Sequence, residues 1–172
     1  GKTMLANAAL AQDYNEQIDE LKTHGLTIIP EFYDSDLCQE YIRLSESLLN
    51  KRIAEGVNFN PECPYITSPF RHDKRFLALI HNDPIEHIVS AMLDEDFVLI
   101  NCNIINRRLY PVMASSEQTG IGMNWHTDSR YLGGKRMQPG FSFIVITMLN
   151  DFTENNAPTL YVPGSHLQFD RP

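Results

Sequence analysis

Apolar positions recur along this chain with two different periods, helical at first and strand-like later. Leu10, Tyr14, Ile18 and Leu21 fall three or four residues apart while Asp13, Glu16, Asp19 and Glu20 fill the other positions, so the spacing predicts an amphipathic helix. Gly25 punctuates it, and the β-branched run 26–29, closed by Pro30, reads as a short strand. A second helix is expected where Leu37, Tyr41, Leu44 and Leu48 line one stripe, with Asp34 or Ser35 as its cap. Residues 56–69, rich in Pro, Asn and Gly, read as a long loop. A third helix should open on Asp83 as cap with Pro84 at the first helical position and Glu86 reaching back, its core face being Ile85, Val89 and Met92. The period then changes: 97–100, 104–109, 141–149 and 159–162 are β-rich runs separated by Gly, Asn, Pro and Ser.

Helices first and strands last favour an α+β architecture with a mainly β core, the helices packed outside an antiparallel sheet or barrel. One domain over residues 1–172 is expected, helical to about residue 95 and β from about residue 96. The 42% of hydrophobic residues suffices for one such core. A net charge of -8 opposes contact with phosphate backbones and anionic lipid, so neither nucleic acid nor membrane is an expected partner. No long apolar run and no secretory pattern is visible, which predicts a soluble, cytoplasmic protein. Cys38, Cys63 and Cys102 are scattered and form no CxxC pair, so they read as ordinary reduced thiols.

Chemistry concentrates at Trp125-His126-Thr127-Asp128. In a strand, residues two apart share a face, so His126 and Asp128 would present an imidazole and a carboxylate side by side. Iron(II) accepts that nitrogen and oxygen pair, and two His with one carboxylate leave positions open for cosubstrate and oxygen. Spacing alone decides little, because His81-Asn82-Asp83 fits the same pattern. Asp83, however, sits at a helix start where its oxygen serves backbone N–H groups, so that pair reads as structural. The segment 111–123, PVMASSEQTGIGM, is small and polar and reads as a loop just before the chemistry.

The ordered motifs WHTDSRYLGG, FSFIVITMLNDFT and ENNAPTLYVPGSH, preceded by NDPIEHIVSAMLDEDFVLI, resemble the phytanoyl-CoA dioxygenase family over most of the chain. The resemblance implies a double-stranded β-helix, a jelly-roll-like barrel, in which His126 and Asp128 bind Fe(2+) and 2-oxoglutarate is the cosubstrate. It implies a dioxygenase that takes O2 and a small-molecule substrate and hydroxylates a C–H bond. It also implies that the third ligand is a His on a later strand, followed by an Arg that pairs with the 2-oxoglutarate carboxylate. Both are expected beyond Pro172, so the C-terminal strands of the barrel are missing from this chain. His166, in the tight turn Pro163-Gly164-Ser165-His166, is not the ligand in the proteins this chain resembles. Ala157 stands where the family usually has Gly, a departure that touches no proposed ligand. Among the asparagines 101, 103 and 106, Asn103 is the candidate for cosubstrate binding, each being equally able to serve neighbouring backbone. Arg130 and Tyr131 follow the HxD strand and could line the substrate mouth or equally be solvated loop residues. The alternative function is a catalytically inactive metal- or small-molecule-binding β-barrel module.

Overall fold

The computed structural model describes residues 13–57, 64–106, 126, 131–132, 135–136, 142–153 and 159–168. Helix α1 (Asn15–His24) buries Ile18 and Leu21, and Tyr14 at its start is buried as well, matching the expected stripe; Leu10 lies outside the described residues. Helix α2 (Ser35–Ala54) begins where Asp34 accepts the Leu37 N–H at 2.7 Å, so the cap is Asp34. Its stripe holds, with Tyr41 and Leu48 buried and Leu37 and Leu44 packed beside them.

Helix α3 (Asp83–Leu93) starts one residue earlier than the sequence suggests. Its cap is Asn82, whose side-chain oxygen accepts the Ile85 N–H at a long 3.4 Å, and Asp83 is already helical. The carboxylate of Glu86 does not reach back to the cap; it meets Nδ1 of His81 at 2.6 Å. A carboxamide caps as well as a carboxylate, so Asn82 and Asp83 could not be ranked from residue type.

The long loop expected over 56–69 contains β1 (Tyr65–Thr67), antiparallel to β2 (Asn103–Ile105) in the register Tyr65 to Ile105, Ile66 to Ile104 and Thr67 to Asn103. The Ser68 N–H donates to the Cys102 carbonyl at 2.7 Å and the Asn106 N–H to that of Pro64 at 3.0 Å, which prolongs the pairing at both ends. Three β-prone residues framed by Pro64 and Pro69 give too short a signal, and their partner comes only after α3. A second antiparallel pair joins β3 (Tyr131–Leu132) to β4 (Lys135–Arg136), with Gly133 and Gly134 between them in sequence. Two glycines between strands are a turn signal.

Other expected strands form no ladder here. Residues 26–29 run without strand pairing: the Thr27 hydroxyl donates to Glu20 and Ile29 packs inward. Residues 97–100, 143–149 and 159–162 belong to neither of the strand pairs seen among the described residues, and residues 107–109 and 141 lie outside them.

Two apolar clusters organise the described residues. In the first, Tyr41, Leu48, Leu49, Ile66 and Phe76 pack together with Ile104 and Leu149 against them. Phe76, only 1% exposed, sits on a 3-10 turn (Lys74–Leu79), and the Tyr41 hydroxyl donates to the Arg75 carbonyl of the same turn at 2.9 Å. In the second, Tyr14, Ile18, Leu21 and Ile88 meet Ile29, Met92 and Phe143. Each cluster therefore takes residues from both sides of residue 95.

Candidate functional site

The β1 and β2 pair is the part of the candidate site with complete local geometry. Alternation along β2 turns Ile104 into the first cluster beside Ile66, and it sends Asn103 and Ile105 to the opposite, exposed face. Asn103 thus stands opposite Thr67 with its carboxamide turned away from the helices. Asn106 is half-buried and its backbone N–H is used by Pro64, while Asn101 is exposed. Asn101 and Cys102 line an open groove of about 340 Å³ with Ser68, Phe70, Arg71, Leu99 and Ile100. Burial pushes the Cys102 thiol pKa up, so this cysteine is held as a protonated thiol rather than a reactive thiolate. Cys38 is free too, and Cys63 lies outside the described residues.

His126 is exposed. Asp128 and Arg130 lie outside the described residues, and so does the loop 111–123; Tyr131 belongs to β3, paired with Arg136. Among the described residues, no three His, Cys, Asp or Glu side chains come together as a ligand set. The donor chemistry of His126 and Asp128, an imidazole nitrogen with a carboxylate oxygen, fits iron(II).

The competing pair has a different structure. His81 precedes the cap of α3 and Asp83 is its first residue, so the two-residue spacing runs through a helix start, where it does not align side chains on one face. His81 is engaged with Glu86, and the side-chain oxygen of Asn82 accepts the Ile85 N–H. His166 lies on a 3-10 turn (Ser165–Leu167), with Nε2 3.0 Å from the Lys22 carbonyl. No helix among the described residues is long and apolar enough to cross a membrane.

Comparison with known proteins bears on the whole stretch. A family model described as Phytanoyl-CoA dioxygenase (PhyH) matches residues 21–172, a span that includes α2, α3, both strand pairs and His126-Thr127-Asp128. No curated protein and no solved structure matches the chain.

Proposed function

The chain belongs to the phytanoyl-CoA dioxygenase family, whose members are typically iron(II)- and 2-oxoglutarate-dependent dioxygenases of double-stranded β-helix fold, and from this premise we propose that it hydroxylates a C–H bond of a small organic substrate. The observation that carries the reading is the continuity of the family match across the HxD segment and its flanking elements. His126 and Asp128 would hold the iron together with a second His as third ligand. Bound iron(II), with 2-oxoglutarate and O2, supplies the oxidant for the hydroxylation. Asp128 contributes the anionic donor, and His126 a neutral one whose ring must be unprotonated at the coordinating nitrogen. Asn103, on the face of β2 away from the helices, is assigned as an amide donor to the cosubstrate.

The fold proposed with this function is one domain, helical to about residue 95 and barrel-forming from about residue 96. Its support is the mixed membership of both apolar clusters: Ile104, Phe143 and Leu149 pack on helices that precede them. Packing of this kind supports the reading of helices outside a β-rich core.

The test is a comparison of variants in the full-length protein. Asp128→Ala should weaken iron(II) binding by at least roughly tenfold, about 1.4 kcal/mol, and abolish succinate formation from 2-oxoglutarate. His81→Ala should change neither. Unchanged turnover in Asp128→Ala would remove the metal assignment. Iron and cosubstrate binding without succinate in the unmutated protein would identify the inactive binding module instead.

A further inference from the structure

We infer that the turn 163–167 is a latch that fastens the β-rich part of the chain to the end of α1, with His166 as its bolt. An α-helix leaves its last four carbonyls without helical partners, and in α1 two of these are taken by one distant turn. The Gly164 N–H donates to the His24 carbonyl at 2.9 Å, and Nε2 of His166 lies 3.0 Å from that of Lys22. A carbonyl only accepts, so Nε2 carries the hydrogen. The other ring nitrogen, Nδ1, is buried against Gly25. Neither nitrogen can therefore offer a lone pair to a metal while the latch is closed.

Gly25 is the seat of the latch for two reasons. Its φ of 80° is left-handed, which favours glycine, and a β-carbon there would collide with Nδ1 and Cγ of His166. The contact has a counterpart in the cluster that α1 builds with α3, because Phe143 packs against the group of Tyr14, Ile18, Leu21 and Ile88. Two separate segments thus reach this end of the fold, 142–153 by apolar packing on the cluster that α1 shares with α3 and 159–168 by hydrogen bonds to α1 itself. This role is independent of the iron assignment.

A double-mutant cycle on Gly25→Ala and His166→Ala in the full-length protein tests the latch, read by urea midpoints. Gly25→Ala should lower the midpoint, and the loss should shrink by about half or more in the His166→Ala background, where only the backbone strain remains. Native-state exchange of the Gly164 amide should accelerate roughly tenfold in His166→Ala while the amides of α2 are unchanged. Iron(II) binding should persist in every folded variant. Additive midpoints, an unchanged Gly164 amide, or loss of iron with the fold intact would each overturn the latch. If His166→Ala does not fold, His166→Gln, which keeps a donor for the Lys22 carbonyl but not the ring against Gly25, takes its place: relief of the Gly25→Ala penalty supports the latch and its absence refutes it.

Discussion

The carboxylate of Asp73 accepts from the side chain of Arg75, with contacts of 2.6 to 3.2 Å, and from its backbone N–H at 3.0 Å. The side-chain bonds are the larger cause, and together they hold its pKa at about 2 against the usual 3.8. A carboxylate lowered in this way binds fewer protons when folded than when unfolded, so its stabilising contribution is present above about pH 4 and is lost as the pH falls through 2. Asp73→Asn should flatten the acid limb of the stability profile between those values, and a carboxyl titration followed by NMR should place Asp73 near 2. A midpoint near 3.8 would mean that the pair does not form in solution. Tyr41 shows the converse effect, since burial first, then the nearby Glu40, raises its pKa and keeps the hydroxyl protonated to donate to the Arg75 carbonyl.

Caps separate the helices by the quality of one bond each. Asp34 accepts at 2.7 Å with a charged oxygen, whereas Asn82 accepts at 3.4 Å, beyond the usual range. Asp34→Ala should therefore cost about 1 kcal/mol, Asn82→Ala roughly 0.5 kcal/mol, and Asp83→Ala only a few tenths through the helix dipole. Urea unfolding of the three variants gives the order directly, and a larger loss for Asp83 than for Asn82 would return the cap to Asp83. Ladder pairing obeys a different logic. β1 exists because Ile66 finds Ile104 across the ladder and both sink towards α2, a partnership that neither trio of residues announces alone.

Across the molecule, the segment 142–149 is notable for the apolar surface that it exposes among the described residues. Phe143 and Leu149 pack on the helices, while Ile144, Ile146 and Met148 on the alternate positions are 56%, 52% and 45% exposed. Ile144, Ile146 and Met148 thus form an apolar face that is open among the described residues, and Val145, 47% exposed, leaves the side of Phe143 and Leu149 only partly covered. In the proposed barrel that open face turns to the interior. Ile146→Ala should accordingly cost at least about 2 kcal/mol in the full-length protein, as for a core isoleucine. A change within about 0.5 kcal/mol, as for a surface site, would argue against the barrel at this segment.

The sequence by itself determined whatever depends on neighbours three or four positions away. The stripes of α1 and α2 are repeats of a local period, the cap of α2 is narrowed to Asp34 or Ser35 by residue type, and the ordered motifs around His126 sufficed to identify the family. Tertiary structure decided what depends on a partner remote in the chain. Tyr65–Thr67 became a strand because Asn103–Ile105 lay within reach, and residues 26–29 remained without strand pairing beside Glu20 and the second cluster. His166 reads in sequence as a polar turn residue; only the folded chain brings it to the Lys22 carbonyl and to Gly25. Local periods fix which face of an element is apolar, whereas the choice of what covers that face is a long-range contact whose two sides carry no shared mark in the sequence.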